Sequence, residues 1–580
     1  FLSPDGSDKD PGTRARPWRS IGRANAALQP GDTVVFLAGR YAGVIEPALS
    51  GAEGKPIIYR SEKPLGAILT GGKSSDDRTL CVRLKKRDHI VIEGFHLLPD
   101  AGGWMFFETT KHCVVRRCRM EGTRAGYIPA HMADCHYNRY EELEVWRAMQ
   151  VGANGHVTGN MFQLNGSTHN VVLNCHFSRA GHCPFCIWFD SHHNVVRGCT
   201  FDNRWGRNFE LFTAPRTLFE NCVITNTYHG SGSADGRAKL FTHDGIFRRN
   251  LIYRNWYQPL TIHAYKYEQL DPFGMIGTRM YQNTFVANYE AGFEMFDIAA
   301  KPDPHMVRGN VLQNNVFAGN DPGGAGLSLN LGASIATDNL FRSNLFRGGE
   351  AGTPTIRYAW SDGKPGGLRA PADADAACPA QFSGSRDGDP RFADAEHDDY
   401  RLQAGSAALD AGAPLATARE TGKGRVLPVH DARPFYDGFG IPGEQGDLLF
   451  IGPRKAQARV VKADLEANTL TLDRDVAWKA GDAVTLPYVG KAPDLGAYER
   501  GAEKEAWYAA PRVRPGLRIP TMETAEEPVV VVDFEAENLE DWFSIFYLHR
   551  QRNTDARVDD TTAASGKRSL RVFATDDGAI

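Results

Sequence analysis

No run of about 18 consecutive apolar residues occurs, so nothing in the chain reads as a membrane-spanning helix. Net charge is almost absent: 66 Lys and Arg stand against 70 Asp and Glu in 580 residues. That balance argues against a general nucleic-acid or membrane-surface partner. The 3.6-residue apolar stripe of helical and leucine-rich repeats is missing from every repeated unit. Cysteine is sparse for the length, with ten residues. Four of them share one repeat register, where a free Cys acts as a small buried hydrophobe rather than half of a disulfide. The chain begins at Phe1 with no Met and no signal peptide, which a processed exported protein and a trimmed chain explain equally well.

What is present is a repeat. Ten segments overlay on an eight-residue frame, starting at Ile90, Cys113, Asn138, Asn170, Asn194, Thr217, Gly245, Thr278, Asn310 and Asn339. The clearest copies read NVVLNCHF, NVVRGCTF, TLFENCVI, GIFRRNLI and NVLQNNVF. Each copy is too short to bury a face alone, so neighbours must stack into one continuous core. Frame position six holds Cys118, Cys175, Cys199 and Cys222, then Asn250, Asn283, Asn315 and Asn344. A thiol or amide recurring at one register predicts an internal column, with Asn amides bonding across strands about 4.8 Å apart. The expected fold is an all-β parallel β-helix. His89, His112, His169 and His193 precede the frame and are expected to form a stacked column in the turns.

Around the repeat, Ser20–Leu28 is predicted to be a short helix capping the solenoid, followed by a buried strand at Thr33–Leu37. The cap and coil are assigned to residues 1–417, with 359–395 read as loop. A β-barrel-like insertion (418–491), a closing segment (492–501) and a charged linker (502–527) follow. Residues 528–580 read as the start of a β-sandwich similar to carbohydrate-binding modules, which is expected to continue past Ile580.

The opening SPDGSD, PGT, the Pro17-Trp18 pair and PGDTV, with DPRF, GSAALDAG and PDLGAYE towards the end, resemble secreted bacterial right-handed β-helix proteins of the pectate-lyase-like group. That resemblance implies a right-handed coil, a secreted, periplasmic or cell-surface location in a bacterium, and action on a polysaccharide. The stretch FELFTAPRTLFENCVI loosely resembles the metal-and-base rung of the chondroitinase B and alginate lyase group. It puts Glu210 near a calcium-ligand position, so Ca²⁺ is the implied cofactor. Ala214 and Pro215 stand where that group has its catalytic lysine, and Thr242-His243-Asp244-Gly245 where its RHG element falls.

Second strands follow the frames: IWFD, FELF, AKLF, LTIHAY and FEMF. Alternation along a strand puts Phe209, Leu211, Leu240, Ile262 and Met295 inside. Trp188, Asp190, Glu210, Lys239, His243, Thr261, His263, Tyr265 and Glu294 then share an outer strip. For elimination on a uronic-acid polymer, Lys239, His243, His263, Tyr265 and the substrate-binding Lys266 are the proton-transfer candidates, while Arg204, Arg207 and Arg237 would meet carboxylates. Trp188 and Glu294 would line the substrate. The second reading is a glycoside hydrolase using Asp190 and Glu210 on adjacent rungs; Glu294, three rungs from Glu210, is about 14 Å away and too far to pair. A non-catalytic glycan-binding solenoid is the third. Cys183-Pro184-Phe185-Cys186, preceded by His182, has spacing compatible with redox or zinc chemistry. No second ligand pair follows it, and packing at a loop-to-strand junction is the default.

Overall fold

The computed structural model describes residues 1–123, 128–148, 150–151, 157–158, 160–180, 183–203, 207–227, 238–255, 260–264, 275–289, 291–297, 307–322, 326–331, 338–350, 352–359, 365–514, 554–559 and 569–574. Each turn of the coil contributes one strand to each of three faces, here called sheets A, B and C. Sheet A has 13 strands, and sheets B and C together have 25. One full turn runs Val195–Arg197 (A), Thr200–Asp202 (B) and Glu210–Phe212 (C) before returning to sheet A at Leu218–Glu220. Successive turns pair in parallel, Val195 with Leu218 and Leu218 with Ile246. The eight-residue frame is thus one sheet A strand, a tight turn and one sheet B strand. Three sheet A strands lie outside the ten predicted copies: Thr33–Phe36, Ile57–Ser61 and Phe382–Ser383.

The predicted column is there. Asn250 Nδ2 donates to Asn283 Oδ1 at 3.0 Å, Asn283 to Asn315 at 2.9 Å, and Asn315 to Asn344 at 2.9 Å. Each amide also satisfies buried backbone: Asn283 Nδ2 donates to the Phe247 carbonyl at 3.0 Å, and its Oδ1 accepts from the Asn250 N–H at 3.0 Å. A second ladder runs through Asn255, Asn288 and Asn320, and a third links Asn310 to Asn339. All ten cysteines are free and buried. In the column, burial pushes the Cys118 thiol up to about 12, so it stays protonated and inert.

The turn histidines also stack. His89, His112, Tyr137, His169 and His193 lie face to face at 4.8–5.4 Å between successive ring centroids. Each holds a positive φ of 55° to 58°.

Helix α1 (Ile21–Ala27), capped by the Ser20 side chain, closes one end by burying Ile21 and Ala24 in the main core. The stretch read as loop contains a second helix, α2 (Pro371–Ala377), whose Ala374 joins the same core. Pro371 at its first turn lacks only an N–H that a helix start leaves unbonded anyway. Composition hid this element.

Residues 416–485 form a six-stranded antiparallel sheet. An Ala418–Val429 bridge joins its two edge strands and closes it into a small barrel. The barrel sits on the outside of sheet A, where Val171, Val195, Leu218, Ile246 and Tyr281 pack into its core. Charges fix the contact: Arg248 binds Asp447 through two bonds of 2.7 Å and Glu220 at 2.6 Å, while Arg197 reaches Glu220 at 2.5 Å and Glu444 at 2.7 Å. The closing segments cover sheet B, with Tyr400, Leu402, Leu495 and Ala497 against Val223, Leu251, Val286 and Val316. Ala510 and Val513 pack there too, so the start of the predicted linker still belongs to the solenoid. In the last segment, Thr554–Asp559 and Ser569–Ala574 pair as an antiparallel hairpin.

Replacing Asn283 by Ala strands the Phe247 carbonyl and the Asn250 N–H, and is expected to cost about 2 to 4 kcal/mol, read as a lowered urea midpoint. The barrel contact carries a pH signature. Burial disfavours the Glu220 carboxylate, but Arg248 and Arg197 outweigh it and hold Glu220 at about 2. A depressed carboxyl contributes stability that is complete above its unfolded value of about 4.3 and disappears as pH falls through the folded value. Thermal melts from pH 5 down to pH 2 should show this loss, and Glu220→Gln should flatten that slope.

Candidate functional site

With sheet A under the barrel and sheet B under the closing segments, sheet C is the face whose outside the described residues leave uncovered by another folded segment. Its strands bury alternate residues, among them Phe185, Ile187, Phe209, Leu211, Phe293 and Met295. The described polar residues between them, Gln163, Cys186, Glu210 and Glu294, take the other side of the strands, as the alternation predicts, and are at most 3% exposed. Register pairs place them in two rows along the axis. One row runs His131, Gln163, Cys186, Glu210, Lys239, Thr261, Glu294 and Asn330. The other carries Asn165 and Trp188, then Phe212, Phe241, His263 and Phe296. Trp188 and Phe212 meet at 6.0 Å between ring centroids. A hydrogen-bonding row thus lies beside an aromatic one.

The polar row is tied together at its described end. Asn160 Nδ2 donates to Gln163 Oε1 at 2.9 Å, Gln163 Nε2 to Asn165 Oδ1 at 2.7 Å, and Asn165 Nδ2 meets His131 Nε2 at 2.9 Å. Burial, with the nearby Arg78 charge, lowers His131 to about 4, so at neutral pH its ring nitrogen accepts the Asn165 amide proton. Further along, Arg207 donates to Glu210 Oε1, and both are almost fully buried. Glu294 accepts from Asn330 Nδ2 at 2.6 Å.

Two expectations change. Laying IWFD over FELF aligns Trp188 with Glu210, but Glu210 pairs with Cys186. The alignment slips by two residues, which preserves the face and changes the neighbours. Asp190 is then four positions beyond Glu210's partner. It also lies past the strand end at Trp188, exposed and at a φ of 57°. Its N–H bonds Thr213 Oγ1 at 2.9 Å, so Asp190 sits in the turn beyond the strand and is not the rung neighbour of Glu210 that a glycosidase carboxyl pair would need. His243 leaves the strip for a similar reason: its strand ends at Phe241, and His243 bridges Ile276 in the turn back to sheet A. Lys239, Thr261 and His263 keep their strand positions in register with Glu210, Glu294 and Phe296. Arg204, Arg237, Tyr265 and Lys266 lie outside the described residues, as does His182.

Sequence reasoning missed His131, Asn160, Gln163, Asn165 and Phe212. Carrying the second-strand alignment back through NMFQLN and AHMADCH would have reached all but the last, which FELF already contained.

Two clusters bring metal-ligand atoms within 4.8 Å of one another: His169 with His192 and His193, and Cys183 with Cys186 and Glu210. His169 and His193 stack at 6° between ring planes, so their in-plane lone pairs run parallel instead of converging, and burial with Arg216 lowers His193 to about 3. This first cluster belongs to the turn column. The calcium suggested for Glu210 does not fit the donors around it. Ca²⁺ takes six to eight oxygens, whereas Glu210 has two sulfurs and a guanidinium beside it among the described residues.

Residues 108–266 match the family model described as a right handed beta helix region. The coil is a right-handed parallel β-helix. A curated relative, the uncharacterized protein YwoF of Bacillus subtilis (strain 168), is 29% identical over 96 residues. That match spans 16% of this chain and 20% of the relative. Among solved structures, pectate lyase Pel9A is similar at a TM-score of 0.42 and 14% identity, over 86% of this chain and 96% of its own. A variant of the PL6 family alginate lyase AlyGC gives 0.45 and 16%, over 67% and 54%. A glycoside hydrolase gives 0.36 and 11%, over 67% and 95%. These likenesses concern the fold. Among the described residues, no helix is long and apolar enough to cross a membrane.

The Arg207–Glu210 contact yields a stability prediction. Removing one partner of a buried ion pair costs about 3 to 5 kcal/mol, because the other charge is left without compensation. Arg207→Ala should lose that much in chemical denaturation, and Arg207→Met with Glu210→Met should recover most of it.

Proposed function

We propose that the protein is an exported bacterial enzyme that cleaves a uronic-acid-containing polysaccharide by β-elimination along the outside of sheet C. The observation that carries the reading is the pairing of rows: hydrogen-bonding and charged residues on one register, aromatics on the next, on the face that the chain's own later segments leave clear. Aromatic faces suit sugar rings, and a row parallel to the coil axis suits an extended polymer.

In the reaction, a base takes the C5 proton of the uronate and the electrons form the C4–C5 double bond. The C4–oxygen bond breaks, and an acid protonates the departing oxygen. Lys239 is the favoured base, since its register beside Glu210 sets it in the middle of the polar row. His263 and Tyr265 are the candidates for the acid. Arg207 is engaged with Glu210, so neutralisation of the substrate carboxylate falls to Arg204, Arg237 and Lys266. Trp188 and Glu294 flank the bound chain. The separation of Asp190 from Glu210 favours elimination over hydrolysis by that pair.

The test is to incubate the protein with a panel of acidic polysaccharides and follow the ultraviolet absorbance of unsaturated uronic acids. Absorbance should rise on at least one of them. Lys239→Ala should reduce the rate by about 10²- to 10⁴-fold, the usual weight of a general base, while Asp190→Asn leaves it unchanged. New reducing ends without that absorbance would sink elimination and support a hydrolase. Binding with neither product would leave a glycan-binding solenoid.

A further inference from the structure

The Cys-Pro-Phe-Cys motif acquires a partner that its sequence context did not reveal. In the Cys183–Trp188 strand, Phe185 and Ile187 enter the main core, whereas Cys183 and Cys186 do not belong to it. Cys186 lies in the outward polar row, between Gln163 and Glu210. Both thiols are completely buried, and Glu210 is 3% exposed. The ligand atoms of the three fall within 4.8 Å of one another. The internal-column cysteines Cys175, Cys199 and Cys222 belong to the main core and bond backbone carbonyls; Cys183 also bonds one, the Phe185 carbonyl at 3.1 Å, but among the described residues only Cys183 and Cys186 share a ligand cluster with a carboxylate.

We propose that Cys183, Cys186 and Glu210 bind one thiophilic divalent cation, zinc by class, in the floor of the sheet C face. Two thiolates and a carboxylate are the donors that borderline-soft Zn²⁺ takes. Ligands of a tetrahedral zinc site sit about 3.5 to 3.8 Å apart given bond lengths near 2.0 to 2.3 Å, so closure needs a contraction of at most about 1.3 Å. Charge closes as well. Two thiolates and one carboxylate around a divalent ion leave a single negative charge, and Arg207, already on Glu210 Oε1, balances it. Three protein ligands leave a fourth position for water or a substrate oxygen, as in catalytic zinc sites. Arg207 would then be the outer partner that orients the carboxylate.

Metal binding can be measured without any substrate, so its failure is distinguishable from failure of the polysaccharide reading. The full chain, stripped of metal and reduced, is titrated with Zn²⁺ and, separately, with Co²⁺. One equivalent of either should bind, and the cobalt form should show thiolate-to-metal charge transfer in the near ultraviolet. Cys183→Ser and Cys186→Ser should each abolish that band and lower affinity by at least about 100-fold. Arg207→Ala should lower it by about 10- to 100-fold. Cys199→Ser, inside the coil, should leave binding intact. Should the cysteine variants misfold by circular dichroism, Glu210→Gln reports on the same site through a shifted cobalt spectrum. Sub-stoichiometric binding, a Cys183–Cys186 disulfide that re-forms and excludes metal, or binding indifferent to both cysteine variants would each overturn the proposal.

Discussion

Everything in this molecule depends on one spacing, the separation of about 4.8 Å between hydrogen-bonded parallel strands. Because each rung lies that far from the next, a residue type repeated at one register meets itself. Asn then becomes a good interior residue, since its amide can donate to the Asn of the next rung while also satisfying backbone groups that the turn exposes. An isolated buried Asn would be costly. In a ladder it locks register instead, because a rung that slipped by one residue would break the Asn-to-Asn bonds and the backbone bonds made with them. The same spacing builds the histidine column, in which rings tolerate a left-handed backbone because each is held by the stack.

Three faces arise from one repeating backbone, yet they serve different ends. Sheet A receives the barrel and sheet B the closing segments, and both contacts reach across more than a hundred residues of chain. The barrel contact is held by Arg197, Glu220, Arg248, Glu444 and Asp447, and all but the partly exposed Arg197 are almost entirely removed from water. Such networks are weak sources of net stability, since desolvation consumes most of the attraction. Their effect here is positional. An aliphatic patch such as Val171, Val195 and Leu218 would let the barrel slide from rung to rung, because neighbouring rungs look alike; Arg248 with its two bonds to Asp447 accepts one position. A repetitive surface needs such a marker.

This repetition also decides what could be read from the sequence. The Asn and Cys column, the histidine column, α1 and the in-or-out alternation were legible, because each rests on a local pattern or on self-similarity at a fixed position. Thr33–Phe36 was legible as a buried strand but not as a rung of the coil, and Ile57–Ser61 was not read at all, since both precede the Asn-bearing turns and lack their marker residue. Helix α2 was hidden by a stretch of Gly, Pro, Asp and Ala whose composition reads as loop. The site suffered most from a slip of two residues. Because alternation has period two, that slip keeps Trp188, Glu210 and Lys239 on the correct face while misassigning who sits beside whom. It made neighbours of Asp190 and Glu210 and concealed the true neighbour, Cys186.

That change of neighbour alters the chemistry available at Glu210. Beside Asp190 it would be one of two competing carboxyls, a setting that raises a pKa and makes an acid. Beside Arg207 and the two thiols it is a buried anion with its charge already met, which suits holding something in place better than donating a proton. In the proposed reading, proton transfer then passes to the neighbouring rungs, where Lys239 and His263 hold register positions in the same two rows. A polymer bound along the axis, as proposed, would cross these rungs in succession, so each sugar unit would meet a different pair of register positions. Specificity on such a face would then be written rung by rung, and single substitutions there would alter it without disturbing the ladders that hold the coil together.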